Sequence, residues 1–405
     1  MTATPSRAAV QGALRVTTER LAGELARPTR QRPDWSDFEW RIARAAAAVH
    51  GASPLLRTRL LWQGPEDWQS FLASQRAHTE QRQHRIEQLL WRVDALARDE
   101  ALGIVALKGA ALHGLGLYKP GERPMADLDL LVARQDVTRA SSLLETLGFR
   151  QTLTYWRHRS FSPADTRTHT ELGEHADNYI KIELHEQLSE RLPVRQVDVS
   201  DLVMPDDPRP GLNPYRSGAA LMAHLLLHTA GSIVTRSVRL LQLHDIALLT
   251  ERLTERDWCE ILDSSGNERD PWWWALPPLM LTARYYPNVV RPDILKRLSL
   301  HCPRHLRKIM QGRTLSDVSL SYLTLEAFPG IEWAQSSRER ARYVSLRILP
   351  SAEMLATRRS QALTEPGLAG NPWTHLRQGA RILHWMVRRP ARPATMYAVN
   401  AALSQ

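Results

Sequence analysis

The stretch LKGAALHGLGLYKPGERPMADLDLLV, residues 107–132, contains two aspartates in a segment that otherwise resembles a buried strand. Asp127 and Asp129 are two residues apart, so in a strand both side chains project from the same face. Aspartate is a poor strand former and is rarely buried without a partner, and two neighbouring carboxylates repel each other. The pattern therefore predicts positive charge or a cation beside this strand.

A second strand supplies a third carboxylate. The segment NYIKIELHEQL (178–188) alternates apolar and polar residues, and Glu183 lies between Lys181 and His185 on the polar face. Three carboxylates that converge across a sheet require cations, and such oxygen ligands suit Mg²⁺ and phosphate chemistry. We therefore predict a catalytic and metal-binding site with Mg²⁺ or Mn²⁺ as the cofactor, formed by Asp127, Asp129 and Glu183.

Basic residues surround these carboxylates in the sequence. Lys108 and Gly109 end a β-rich run and open a helix, where backbone N–H groups can hold a phosphate. The chain has only five lysines, so Lys108 and Lys181, both close to the carboxylates, are unusual. Lys108, Lys181 and Arg123 would supply positive charge beside the carboxylates.

The order of these motifs resembles the polymerase-β-type nucleotidyltransferase superfamily. Within it, LKGAAL, ADLDLLV and IELH resemble a family of uncharacterised bacterial nucleotidyltransferases with an LKG motif, over about residues 100–250. The resemblance implies that Asp127, Asp129 and Glu183 hold one or two metal ions, and that Glu183 helps to activate the acceptor. It also implies that the Lys108–Gly109 turn, which replaces the superfamily's usual Gly-Ser pair, contacts the triphosphate of an NTP. Arg123 and Lys181 are implied as further nucleotide-binding residues that contact phosphate.

The coarse pattern predicts an α+β protein, in which a polymerase-β-type nucleotidyltransferase core with a mixed sheet is flanked by helical N- and C-terminal domains. Pro- and Gly-rich residues 204–218 are typical of a linker. The long helical run 65–100 has one apolar stripe, and its Gln/Arg/His-rich face is predicted to be solvated. The predicted regions are a helical region (1–100), the catalytic core (101–205), a helical domain packing on the core (206–325) and a C-terminal helical region with a basic tail (326–405).

Composition sets broad limits on function. The net charge of +10 favours anionic partners. Two cysteines are too few for a disulfide framework, the first twenty residues lack the apolar core of a signal peptide, and no uninterrupted apolar run reaches eighteen residues. We therefore expect a cytoplasmic protein without stable membrane insertion.

Two other function classes fit parts of the pattern. A nucleotide-sugar glycosyltransferase also uses an Asp-x-Asp pair, but it needs neither the third carboxylate nor the Lys-Gly turn. A catalytically idle binding protein, similar to an antitoxin, could keep the fold without the reaction. His224 and His228 are one helical turn apart, but no further zinc ligand is evident nearby, and Asp245 is expected to pair with Arg239 or to line the cleft.

The acceptor is not specified by the motifs. We expect a small molecule, peptide or protein rather than RNA. Residues 373–392 carry five arginines and no acid, with Trp373 and Trp385, and could bind RNA through stacking and phosphate contacts. The favoured interpretation is a structural helix whose arginines pair with acids and whose buried apolar stripe comprises Leu376, Ile382, Leu383 and Met386.

Overall fold

The computed structural model describes residues 5–169, 171–264, 272–351, 355 and 377–404. In these residues a mixed six-stranded sheet is surrounded by helices, which confirms the predicted fold class. A separate two-stranded ribbon follows the fifth strand. The strands are β1 (Gly103–Ala106), β2 (Asp127–Val132), β3 (Phe149–Thr154), β4 (His158–Pro163), β5 (Lys181–His185), β6 (Ser189–Arg191), β7 (Gln196–Asp198) and β8 (Gly211–Asn213).

The helices of the described residues lie before, within and after the strand-rich segment. They are α1 (Arg7–Ala26), α2 (Asp37–Val49), α3 (Ser53–Arg59), α4 (Glu66–Asp99), α5 (Lys108–Gly114), α6 (Val137–Thr146), α7 (Ser200–Val203), α8 (Gly218–Thr235), α9 (Leu240–Thr250), α10 (Glu255–Ser264), α11 (Leu276–Tyr285), α12 (Pro292–His301), α13 (Arg304–Gly312), α14 (Leu315–Val318), α15 (Ser337–Ile348), α16 (Gln378–Arg388) and α17 (Pro393–Ser404).

The sheet order is β3-β4-β5-β2-β1-β8. Strands β2 and β5 are parallel neighbours, whereas β1 is antiparallel to β2 and β4 is antiparallel to β5. In the β2–β5 register, Asp127 lies opposite Lys181 and Asp129 lies opposite Glu183. The two acidic motifs, more than fifty residues apart in the chain, therefore meet at the centre of the sheet.

The interpretation of residues 204–218 as a linker is wrong for its middle part. Gly211–Asn213 forms β8, which pairs in parallel with β1 and makes one edge of the sheet. Gly211 has a φ of +102°, a conformation that glycine adopts readily. Strand β8 has only three residues in a Pro/Gly-rich context, so no alternating pattern marks it.

One face of the sheet is apolar and is covered by α4 and α6. Alternation along β2 and β5 places their even-numbered residues on this face. The predicted stripe of α4 packs against it, which confirms that part of the helix prediction. The buried residues shared between these elements include Ile86, Leu89, Val93, Ala97, Leu128, Leu130, Val132, Leu144, Ile182 and Leu184.

The polar side of α4 is not a simple solvated face, as had been expected. Gln75, Arg82 and Gln83 are buried. Gln75 donates to the carbonyls of Leu172 and Glu174, and so attaches the loop before β5 to the helix. This side of α4 therefore supports a loop instead of facing water.

Helices from both ends of the chain form a second, larger core. In this core α17 packs on α2, and the Arg44 guanidinium of α2 donates to the Ala402 carbonyl of α17. Helix α8 is central. It is long and apolar enough to cross a membrane, with a mean hydropathy of 1.3, but 72% of it is buried inside the protein, as in a core helix. Trp272, Trp273 and Trp274 are also buried, in agreement with the packing role expected of such a run.

The basic tail differs from its expected structural form. Trp373 and Leu376 lie outside the described residues. In α16, Ile382 is buried, but Leu383 is 62% exposed and Met386 is 55% exposed. The predicted apolar stripe is therefore not a buried one.

Candidate active site

The three predicted carboxylates lie together on the polar face of the sheet. Asp129 and Glu183 are direct neighbours on the parallel strands β2 and β5, and Asp127 is two residues before Asp129 on the same face. Side chains of Asp129 and Glu183 are largely buried, with exposed fractions of 6% and 13%. Asp129 and Glu183 thus share a small, poorly solvated region, whereas the Asp127 side chain is 36% exposed.

Lys108 and His185 neutralise Asp129. Lys108 Nζ and His185 Nε2 each lie 2.9 Å from Asp129 Oδ1. Burial alone would raise the pKa of Asp129, but Lys108 and His185 outweigh it and hold this pKa well below its usual range. Asp129 is therefore ionised at neutral pH.

Lys181 bridges the other two carboxylates. Its Nζ lies 2.5 Å from Glu183 Oε1 and 3.8 Å from Asp127 Oδ2. Burial opposes ionisation of Glu183, yet the nearby basic groups lower its pKa. Glu183 is thus paired with Lys181 and is not an exposed residue.

Asp127 shows that negative charge is in excess at this site. Burial, followed by the charges of Asp129 and Glu183, raises the pKa of Asp127 to about 6, despite Lys181 and Lys108. A divalent cation would remove this repulsion. The donors are carboxylate oxygens, which fit hard ions such as Mg²⁺ or Mn²⁺.

The backbone at Lys108 is held in an uncommon conformation. Its φ of +46° lies in the left-handed region, which is costly for a residue with a side chain. The Lys108 N–H donates to Tyr215 Oη (3.1 Å), and the Tyr215 hydroxyl donates to His224 Nδ1 (2.8 Å). Tyr215 and His224 therefore fix the turn that aims Lys108 at Asp129.

The histidine pair of α8 does not act as a shared zinc site in this arrangement. His224 accepts the Tyr215 hydroxyl, whereas His228 Nδ1 lies 3.9 Å from Glu190 Oε1. The two imidazoles have separate partners. Both line a small cavity together with Lys108 and His185.

Gly109 and Arg123 are tightly packed together. A Cβ on Gly109 would collide with Arg123 Nη1 and would come within 2.8 Å of Met125. Arg123 Nε and Nη2 donate to the two carboxylate oxygens of Asp245 at 2.8 and 2.7 Å, and Tyr118 Oη donates to Asp245 Oδ1 at 2.6 Å. Asp245 thus pairs with Arg123 rather than Arg239, and it fixes the loop before β2 to α9.

Arg82 of α4 fixes the starts of both catalytic strands, although nothing in the local sequence indicates this role. It donates to the carbonyls of Met125 and Ala126, just before β2, at 2.9 and 2.8 Å. It also donates to the carbonyls of Asn178 and Tyr179, just before β5, at 2.6 and 3.1 Å. One buried guanidinium therefore sets the relative position of the segments that lead to Asp127 and Glu183.

The carboxylates line one wall of a cleft of about 820 Å³. This size is within the range of small-molecule sites. Helices α8 and α9 and the C-terminal segment form the other walls, where the polar side chains include His228, Ser232, Arg239, Gln242, Arg381, Trp385 and Arg392. The basic tail thus reaches the same cleft as the acidic motifs, which the sequence interpretation did not predict.

The predicted site residues converge in space. The cleft wall contains Lys108, Gly109, Arg123, Asp127, Asp129 and Glu183, and Lys181 contacts the last of these. Their metal- and nucleotide-binding roles remain predictions. For Arg123, Nε and Nη2 donate to Asp245 and Nη1 lies 3.4 Å from the Pro124 carbonyl oxygen, so a phosphate contact would have to compete with these partners.

Comparison with known proteins adds the family. A family model described as an uncharacterised nucleotidyltransferase matches residues 36–269, more than half of the chain. The match runs from α2 to beyond α10, so it includes the carboxylates, the Lys108–Gly109 turn and Asp245. Searches of curated proteins and of solved structures found no match. The chain belongs to this uncharacterised nucleotidyltransferase family.

Proposed function

We propose that this protein is a metal-dependent nucleotidyltransferase, which transfers an NMP from an NTP to an acceptor and releases pyrophosphate. The observation that carries the proposal is the meeting of Asp127, Asp129 and Glu183 on adjacent strands, inside the segment that matches the family. Family membership supports nucleotidyl transfer over the glycosyltransferase alternative. The metal, the NTP and the acceptor belong to the proposal.

Asp127, Asp129 and Glu183 would hold Mg²⁺ or Mn²⁺. When bound, such an ion stabilises the charge on the attacking and leaving oxygens of phosphoryl groups. The shared excess of carboxylate charge, seen in the raised pKa of Asp127, supports this assignment.

The two lysines have a role in the proposal that follows from their contacts. Lys108 and Lys181 now donate to Asp129 and Glu183. A cation on the carboxylates would compete with both amines, and their Nζ groups would then be available to the triphosphate. Glu183, once released from Lys181, would help to accept the proton of the acceptor's nucleophile.

The residues that line the cleft favour a small molecule or an extended peptide segment as the acceptor. Arg239 and Arg381 line the cleft across from the carboxylates, and cationic side chains attract a phosphate or carboxylate group. A cleft volume of about 820 Å³ suits an NTP together with a small molecule or a peptide segment better than a folded RNA. We therefore keep a small molecule, peptide or protein as the proposed acceptor.

The test uses NTPs labelled at the α-phosphate, with Mg²⁺ or Mn²⁺ and size-fractionated acceptors from cell extract. We expect pyrophosphate release and label on one acceptor fraction, and neither with the Asp129→Asn variant. Release of a nucleoside diphosphate from a nucleotide sugar would indicate the glycosyltransferase instead. If no NTP labels any fraction or the protein itself, the catalytically idle alternative gains support.

A further inference from the structure

Two histidines lie beside Glu183 on the polar face of the sheet. His158 of β4 is directly opposite His185 of β5, and their ring centroids are 5.0 Å apart. His158 Nε2 and His185 Nε2 lie 3.7 and 3.8 Å from the same oxygen, Glu183 Oε2. We call these three residues the histidine–glutamate cluster.

His158 has an unusual environment for an imidazole. Its side chain is only 7% exposed, and neither ring nitrogen has a hydrogen-bond partner among the described residues. Nδ1 of His185 also lacks a partner in that part of the chain. Burying a polar atom without a hydrogen-bond partner costs free energy. The unpaired Nε2 of His158, which faces Glu183, therefore indicates a bound ligand that completes the cluster.

The separations suit a metal ion. Tetrahedral ligand atoms bound at 2.0–2.2 Å are about 3.4 Å from one another. The distances of 3.7 and 3.8 Å exceed this value by only a few tenths of an ångström. To close them, the Glu183 carboxylate must rotate or the rings must shift, and His185 Nε2 must exchange its 2.9 Å contact with Asp129 Oδ1 for the ion.

There is also room for a water molecule next to the cluster. A cavity of about 20 Å³ is lined by His185, Lys108, Arg157 and Glu190. A polar space of this size is sufficient for one water. Such a water can hydrogen-bond to the unpaired Nδ1 of His185, in the way that outer hydrogen-bond partners orient metal-bound histidines.

We propose that His158, Glu183 and His185 bind one first-row transition-metal ion, of the class of Zn²⁺ or Co²⁺. Imidazole nitrogens favour these ions, whereas Mg²⁺ favours oxygen ligands. The proposal goes beyond the transfer reaction and does not depend on it, since it needs no nucleotide. Because Glu183 belongs to both groups, the ion lies at the edge of the carboxylate site and competes with Lys181 for Glu183.

A second group of histidines must be separated from this cluster in any measurement. His78, His169 and His175 lie near one another where the loop before β5 meets α4, with Glu171 and Asp177 close by. His175 is common to both possible metal groups there. A His175→Gln variant therefore removes the loop histidines as a site and serves as the matched control.

The test titrates Co²⁺ into the metal-free full-length chain, without nucleotide and with millimolar Mg²⁺ present, and follows the visible absorption of bound Co²⁺. We expect one equivalent to bind in wild type and in His175→Gln. In His158→Gln we expect an affinity lower by at least about tenfold to 100-fold, since loss of a ligand should cost no less than loss of a ligand's outer hydrogen-bond partner. X-ray absorption at the cobalt edge should show imidazole nitrogens around the ion in wild type.

Three results would overturn the proposal: no Co²⁺ bound to wild type, binding unchanged in His158→Gln, or binding lost only in His175→Gln. Circular dichroism shows whether His158→Gln is folded. If that variant does not fold, the X-ray absorption of wild type decides, because an all-oxygen environment would contradict the site. A negative result here leaves pyrophosphate release from NTPs unaffected, so failure of this site is distinct from failure of the proposed function.

Discussion

The central sheet presents one apolar face and one charged face, built from alternate residues of the same strands. Leu128, Leu130 and Leu184 point to the core under α4 and α6, whereas Asp129 and Glu183 point to the cleft. The apolar face is fully packed. The charged face has excess carboxylates and a lysine in a strained backbone conformation. Neighbouring residues of one strand thus separate stability from chemistry, as expected where a functional site violates local folding rules.

The sharpest test of this comparison is a pair of substitutions on the charged face. Asp127→Asn and Asp129→Asn should each lower transfer by at least about 10²–10³-fold, since each removes an oxygen from the proposed electrostatic centre. Pyrophosphate release measures this effect. Retention of full activity in either variant would remove that aspartate from the site.

The same pair should differ in stability when measured in EDTA at neutral pH. Asp127 has a raised pKa, so its ionised form destabilises the fold, and Asp127→Asn should keep or raise the melting temperature. Asp129 has a lowered pKa and forms an ion pair with Lys108, so Asp129→Asn should lower the melting temperature. Scanning fluorimetry compares the two. The opposite order would contradict the assigned charges.

On the apolar face, Leu130→Ala should destabilise the protein without removing its chemistry. Leu130 is fully buried, and a buried Leu→Ala change costs about 2–5 kcal/mol. Denaturant unfolding measures the loss. At low temperature, where the variant remains folded, its pyrophosphate release should stay near the wild-type rate, in contrast to the aspartate variants.

Arg82 connects the two faces of the sheet. It lies on α4, which covers the apolar face, and it fixes the starts of β2 and β5, which carry the charged face. Arg82→Lys keeps the charge but cannot reach the four carbonyls, so the catalytic strands should shift and kcat should fall by about tenfold or more. Arg85→Lys is the matched control, since Arg85 donates to the carbonyls of Ala176 and Asn178 and, among the described residues, to no carbonyl just before β2. Equal kcat values for both variants would argue against a positioning role for Arg82.

A smaller effect concerns pH and lies outside the sheet. Burial lowers the pKa of His50 to about 3 and of His244 to about 4, so both stay neutral in the folded protein. Unfolded histidines titrate near 6.5, and therefore the unfolded state binds more protons below that pH. Stability should be full above pH 6.5 and should fall as the pH decreases toward 4. Melting temperatures across this range test it, and His50→Asn should flatten the slope.

The sequence predicted the residues of the charged face better than the contacts that hold those residues in place. Alternation in IELH and the Asp-x-Asp pair are local signals, and the structure joins them as expected. The Asp245–Arg123 pair, the Lys108–Tyr215 contact and the carbonyl contacts of Arg82 depend on chain segments far apart in sequence. A single sequence contains no signal for such pairings. Strand β8 was missed for a different reason, since three residues are too few to show a period.

The most direct test of the central claim is nucleotide-dependent binding of Mn²⁺, measured by electron paramagnetic resonance with a non-hydrolysable NTP analogue. The claim is that the charged face is a divalent-metal and nucleotide site. Wild type should bind additional Mn²⁺ when the analogue is present, and the double variant Asp127→Asn/Asp129→Asn should bind none of that additional ion. Equal analogue-dependent binding by both proteins, or none by wild type, would contradict the account.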